Sequence, residues 1–119
     1  MLIREVSEKT GITSDNLRYY EKIGLIKNIS RDKNSIRNYS DEDIQWLEFV
    51  KCMRGAGLSI DVLKKYVNLM DKGNNTIPER KQLLESQLEI LKNKKKEIET
   101  TISKLKYKIQ NYEKIFNKR

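Results

Sequence analysis

The run Thr13-Ser14-Asp15-Asn16-Leu17-Arg18-Tyr19-Tyr20-Glu21-Lys22-Ile23-Gly24 carries a helix with both ends marked. Thr13, Ser14 and Asp15 supply side-chain oxygens of the kind that cap the first free N–H groups of a helix. Gly24 stands where a chain leaves a helix through a left-handed residue. Upstream, residues 2–10 read as a short helix with Leu2, Ile3 and Val6 on one face, broken by Thr10-Gly11. Helix, tight glycine turn and a second helix of about ten residues form the helix-turn-helix pattern.

Downstream the character changes. Leu25-Ile26 and Ile36-Arg37-Asn38-Tyr39 read as two short strands, with Arg31-Asp32-Lys33-Asn34-Ser35 as a polar, basic turn between them. A hairpin this small cannot stand alone and must lean on neighbouring helices. Ser40-Asp41-Glu42-Asp43 then starts a helix, a hydroxyl cap followed by three acids at the positive end of the dipole. It carries Ile44, Trp46, Leu47, Phe49, Val50 and Met53 and ends at Gly55-Ala56-Gly57. Trp46, Phe49, Val50 and Met53 could line an aromatic ligand box, but apolar residues at helical spacing read as core. Ser59 caps the next helix, and Lys72-Gly73-Asn74-Asn75 is a loop before Pro78, which suits a helix opening.

From Glu79 to the end there is no glycine or proline. Alternating steps of four and three from Leu84 pass through Leu88, Leu91, Lys95, Ile98, Ile102, Leu105, Ile109, Tyr112 and Phe116. Nine of these ten positions are apolar or aromatic, which is a coiled-coil seam. A helix over 79–116 would be roughly 57 Å long, and a stripe of that length needs a partner, expected to be a second copy of the chain. Lys95 interrupts the seam, as polar residues do when they set register or orientation.

The expected fold class is therefore mainly α. A winged helix-turn-helix head over residues 1–70 carries a small β-hairpin wing. A linker over 71–78, a coiled-coil dimerisation helix over 79–116 and a tail over 117–119 follow.

Composition bounds the chemistry. The 119 residues carry a net charge of +8, which favours polyanionic partners. Residues 1–76 hold 13 Lys and Arg against 11 Asp and Glu, whereas residues 77–119 hold 12 against 6. Bulk charge thus permits DNA binding without locating it, and the outward lysines of the long helix read as a solvated face. One cysteine, Cys52, and no histidine leave no internal disulfide and no Cys/His metal cage. No metal and no cofactor is expected. There is no Ser/His/Asp set and no phosphate-cradling glycine loop, so an enzyme is not expected. No signal-like or membrane-spanning run is present, which points to a cytoplasmic chain without a membrane partner.

Five strings in fixed order resemble the MerR family of bacterial transcription regulators: IREVSEKTGI at 3–12, RYYEKIGLI at 18–26, IRNYS at 36–40, DEDI at 41–44 and CMRGAGLSI at 52–60. The resemblance covers roughly residues 1–70 by motif and the remainder by architecture. It implies a dimer, held by antiparallel pairing of the long helices, on pseudo-palindromic double-stranded promoter DNA. It also implies that the DNA is bent and untwisted so that RNA polymerase engages both promoter elements, a mode that reads deformability as well as base edges. The short C-terminus leaves no room for the separate ligand-binding domain of drug-sensing members.

Candidate residues follow. Arg18 and Tyr19 sit on the recognition helix, where they can reach phosphates or base edges, and Lys22 lies on the same helix. Thr13, Ser14 and Asn16 lie at its start, which usually points into the major groove. Ser14 can cap the helix or contact a phosphate, and both readings stay open. Tyr20, three residues from Leu17 and from Ile23, favours partial burial, while the family pattern places both tyrosines near the DNA backbone. Arg37 and Tyr39 match the family's hairpin Arg-x-Tyr, which anchors the wing against a phosphate. Arg31 and Lys33 would stand near the wing tip. Where the family often has Asn-Gly, this chain has Asn34-Ser35, so the turn is expected to differ.

Cys52 has two readings. Free cysteine is commonly a small buried hydrophobe. Lys51 and Arg54 nearby favour a reactive thiolate, whereas a late position in its helix disfavours negative charge. Residues 49–61 resemble the single-cysteine, aldehyde- and thiol-stress branch of the family, which favours a sensor. The alternative is a constitutive or architectural regulator without an effector. Metal-responsive members carry cysteines at the start of the long helix and in a loop beyond it, and this chain has neither.

Overall fold

The computed structural model describes residues 1–117. The chain runs α1 (Ile3–Thr10), α2 (Ser14–Lys22), β1 (Ser30–Arg31), β2 (Arg37–Asn38), α3 (Asp41–Gly55), α4 (Ile60–Asp71), a 3-10 turn at Asn74–Thr76, and α5 (Ile77–Asn117). Residues 118–119 of the expected tail lie outside the described residues, and Asn117, its first residue, belongs to α5.

The cap chemistry is met residue by residue. Thr13 Oγ1 accepts from Asn16 N at 3.1 Å. Ser40 Oγ accepts from Asp43 N at 3.1 Å, while Asp43 Oδ2 accepts from Ser40 N at 2.9 Å, a reciprocal box. Ser59 Oγ accepts from Val62 N at 3.2 Å. Two helices end in the same left-handed motif. After α2, Leu25 N donates to Tyr20 O at 2.9 Å and Gly24 N to Glu21 O at 3.1 Å, with Gly24 at φ 82°. After α3, Leu58 N donates to Met53 O and Gly57 N to Arg54 O, both at 3.0 Å, with Gly57 at φ 95°.

The first of these motifs corrects one expectation. Leu25-Ile26 is not a strand; its backbone N–H groups turn back onto Tyr20 O. The apolar pair that mimics a strand is buried core instead: Leu25 packs with Val50 and Leu63, and Ile26 with Val6, Ile12, Leu17 and Leu47. The hairpin starts later and is antiparallel, with Ser30 opposite Asn38 and Arg31 opposite Arg37. At its tip Asp32 Oδ1 accepts from Asn34 N (2.8 Å) and Ile36 N (3.0 Å). Ser35 takes the left-handed conformation, φ 63°, that Gly usually fills.

The chain divides into two compact units, Met1–Lys81 and Gln82–Arg119. In the first, α1, α2, α3 and the wing enclose the main core, whose fully buried members include Val6, Leu17 and Leu47. Trp46 joins this core to the smaller one around Leu25, Val50 and Leu63. Its Nε1 donates to Leu25 O at 2.9 Å. Its ring stacks with Phe49 (5.5 Å, 22°) and with Tyr66 (5.6 Å, 13°). Partly buried against both clusters, it serves as packing. Thr76 closes α4, its hydroxyl donating to Leu69 O at 2.6 Å. In the second unit, the described part of α5 buries no side chain. The seam stays open to solvent, Ile98 at 59 % and Leu105 at 60 % exposure.

Candidate nucleic-acid interface

α2 turns one face inward and one outward, as helical periodicity requires. Leu17 is fully buried and Tyr20 and Glu21 are half-buried, while Asn16, Arg18, Tyr19 and Lys22 stand exposed. Asn16, Arg18, Tyr19 and Lys22 are thus the side chains α2 offers to a partner. Arg18 Nη1 rests against Asp15 Oδ1 at 3.3 Å, an exposed pair that a phosphate could displace at little cost. Thr13 is the N-cap and spends its hydroxyl on Asn16 N, so Ser14 is not the cap.

The turn before α2 is held from outside. Thr10 Oγ1 donates to Val6 O (2.8 Å) and accepts from Ile12 N (3.2 Å). Lys51 Nζ, from α3, donates to Thr10 O at 2.6 Å, capping the negative end of α1 with a cation. Gly11 sits there at φ 77°, and a Cβ would lie 2.5 Å from Lys51 Nζ.

The wing is tied to α2 by one carboxylate. Glu21 Oε1 accepts from Arg37 Nε at 2.7 Å and from Arg31 Nη2 at 3.2 Å, and its Oε2 lies 3.3 Å from the same Arg31 nitrogen. Arg31 Nη1 also donates to Ser35 O (3.2 Å). Lys33 is exposed at the tip. Tyr39 lies in the core at 2 % exposure. Among the described residues nothing hydrogen-bonds its hydroxyl. Burial raises its pKa above the ordinary 10.0, partly offset by Arg37. Its backbone N–H pairs with Met1 O at 2.8 Å.

Sequence reasoning missed Glu21 and Lys51. Glu21 did leave a signal, an acid in the last turn of a helix, where the dipole disfavours it. Lys51 left none, because its partner lies 41 positions away. Cys52 is exposed on α3, not a buried hydrophobe. Its two cationic neighbours are engaged elsewhere, Lys51 on Thr10 O and Arg54 on Leu58 O (2.8 Å). Among the described residues no cluster of side chains could hold a metal ion, and no helix is long and apolar enough to cross a membrane.

A helix-turn-helix with a cationic, aromatic outer face, flanked by an arginine-bearing hairpin, defines a winged-helix DNA-binding protein. Residues 1–69 match the family described as MerR HTH family regulatory protein, and residues 44–107 match MerR, DNA binding. The chain belongs to the MerR family and is a DNA-binding transcriptional regulator, not an enzyme. It is 48 % identical over 84 residues to the HTH-type transcriptional regulator AdhR of Bacillus subtilis, covering 71 % of this chain and 60 % of that protein. A MerR family regulator from Listeria monocytogenes has a similar structure, with TM-score 0.91 and 41 % identity over 95 % of this chain and 86 % of that one. HiNmlR, a MerR family regulator lacking the sensor domain and solved bound to promoter DNA, matches with TM-score 0.87. Its identity is 34 %, over 95 % of this chain and 90 % of that one.

Proposed function

We propose that the chain acts as a homodimer on a pseudo-palindromic promoter and responds to aldehydes or thiol-reactive compounds through Cys52. Residues 1–70 read the DNA, and residues 79–116 pair antiparallel through Leu84, Leu88, Leu91, Lys95, Ile98, Ile102, Leu105, Ile109 and Tyr112. Two recognition helices related by a two-fold axis match a two-fold operator. The dimer bends and untwists the duplex so that RNA polymerase engages both promoter elements. It works in the cytoplasm, without a cofactor.

The observation that carries this reading is the exposed α2 face beside an arginine-bearing wing, on a fold shared with a regulator solved on promoter DNA. The solvent-exposed apolar seam supports the dimer. Exposure of Cys52 and the similarity to AdhR support the sensor. In that step Cys52 Sγ adds to an aldehyde carbonyl carbon and the thiol proton passes to the carbonyl oxygen, giving a hemithioacetal.

Arg18, Tyr19, Lys22, Asn16 and Arg31 are the contacts we assign to DNA, with Thr13, Ser14, Tyr20, Lys33 and Arg37 in supporting positions. Tyr39 takes part only through the core. A constitutive regulator is the second reading. It is favoured by the engagement of Lys51 and Arg54 on backbone carbonyls, which leaves neither ammonium nor guanidinium committed to Cys52.

Transcription in vitro from the promoter of the protein's own gene or its neighbours tests the proposal, comparing wild type with Cys52→Ser, with and without an aldehyde. A response confined to wild type supports sensing through Cys52; no response in either leaves the constitutive regulator, and equal responses overturn the role of Cys52. Arg18→Ala is expected to weaken promoter binding by about 1–3 kcal/mol, and binding at wild-type strength refutes the assigned face.

A further inference from the structure

Glu21 is an anomaly beside the surface assigned to DNA, half-buried at the edge of the exposed face of α2. It is an acid in the last turn of α2, where the helix dipole disfavours negative charge. On the DNA-binding reading it would also lie near a partner that presents phosphates. An acid in that place reduces affinity for any duplex, so its presence calls for a compensating role.

The hairpin supplies one. Arg31 and Arg37 are register partners, directly opposite each other across β1 and β2. Like charges placed so destabilise a strand pair. Two strands of two residues each have no independent stability either. Glu21 answers both problems, since its carboxylate accepts from both guanidinium groups and so fastens the wing to the recognition helix.

The two pairs are not equal. Arg37 Nε sits 2.7 Å from Glu21, and both side chains are mostly covered, 25 % and 21 % exposed. Arg31 holds the same carboxylate at 3.2 Å and is 42 % exposed. The shorter, covered pair is the stronger bond, and the longer, wetter one exchanges its partner more readily.

Resting on the DNA-binding reading above, we propose that Glu21 is a specificity-determining positioning residue. With Arg37 it fixes the wing against α2, while Arg31 is handed from Glu21 to a DNA phosphate on docking. Arg37 thereby acts through the protein and Arg31 on the DNA. Because the wing is held at one distance from α2, only a duplex whose groove geometry fits both elements together gains the full set of contacts. Specificity then comes from shape as well as from base edges.

The test measures anisotropy of the full chain on labelled promoter duplex and on a scrambled duplex of equal length, over a range of salt concentrations. Glu21→Gln is expected to lower the promoter-to-scrambled affinity ratio by roughly tenfold, the scale of one lost charge-assisted hydrogen bond, with scrambled-duplex affinity unchanged or higher. Arg37→Gln should show the same loss of ratio, and the double variant should be no worse than either single one. Arg31→Ala should instead weaken both duplexes and reduce the salt slope by about 1, as loss of one phosphate contact does. A wild-type ratio in Glu21→Gln, or additive effects in the double variant, overturns the positioning role. Should Glu21→Gln lose helical signal, the Arg31→Ala slope decides, and an unchanged slope overturns the handover. If wild type does not discriminate the two duplexes, the regulator reading and this one fall together. Discrimination by wild type with an intact ratio in Glu21→Gln removes this proposal alone.

Discussion

Tyr39→Phe separates a core role from a DNA-contact role at a single oxygen. The ring is 2 % exposed, and the hydroxyl has no hydrogen-bond partner among the described residues. Burying a hydroxyl unpaired costs about 1–3 kcal/mol. Removing the oxygen relieves that cost and forfeits only the few dispersion contacts of one atom. The expected net gain at pH 7 is about 1 kcal/mol, or about 4–8 °C in Tm for a small domain.

The pH dependence has a fixed sign. Burial raises the folded pKa of Tyr39 above the ordinary 10.0. The stabilising contribution of the neutral phenol is therefore fully present below pH 10.0 and is lost as pH climbs through the higher folded value. The advantage of Tyr39→Phe should widen over that window, and subtracting the two curves removes the other tyrosines and the lysines. Urea unfolding followed by helical circular dichroism, at one protein concentration and at pH 7 and above 10, measures both effects. Promoter affinity should stay within about twofold, since the oxygen is out of reach of a phosphate. A destabilisation above about 1 kcal/mol at pH 7 would show that the hydroxyl has a partner. A tenfold loss of promoter affinity would show that Tyr39 turns out to meet the DNA. Either result refutes the reasoning.

Two further substitutions use the same backbone physics with opposite signs. Gly11→Ala should destabilise by about 2–4 kcal/mol, combining the cost of a left-handed Cβ with displacement of Lys51 from Thr10 O; a melt unchanged from wild type would contradict the lysine clamp. Ser35→Gly should raise stability by up to about 1 kcal/mol, because Ser35 holds φ 63° at the wing turn, and a lowered Tm would mean that the turn is not strained. Lys95→Leu should strengthen self-association in sedimentation equilibrium while loosening the choice of helix orientation; weaker association would place Lys95 outside the seam.

The elements legible in the sequence are those whose signals are local. A capping oxygen and the N–H it serves lie three residues apart, so Thr13, Ser40 and Ser59 mark helix starts without knowledge of the rest of the chain. The glycines at 11, 24 and 57 mark exits for the same reason. The seam from Leu84 to Phe116 needs only the helical period. What the tertiary structure alone decided are the pairings across long separations. Leu25-Ile26 is apolar enough for a strand, but burial against Val50, Leu63 and Leu47 made it a core turn and moved the hairpin downstream. Tyr39 matches a family pattern that puts it against a phosphate, and only the folded structure shows its ring buried in the core. Glu21, Lys51 and Trp46 find their partners 10 to 41 positions away. Which partner such a residue takes depends on where the folded backbone brings carbonyls and guanidinium groups into reach, and residue type and spacing along the chain do not contain that distance.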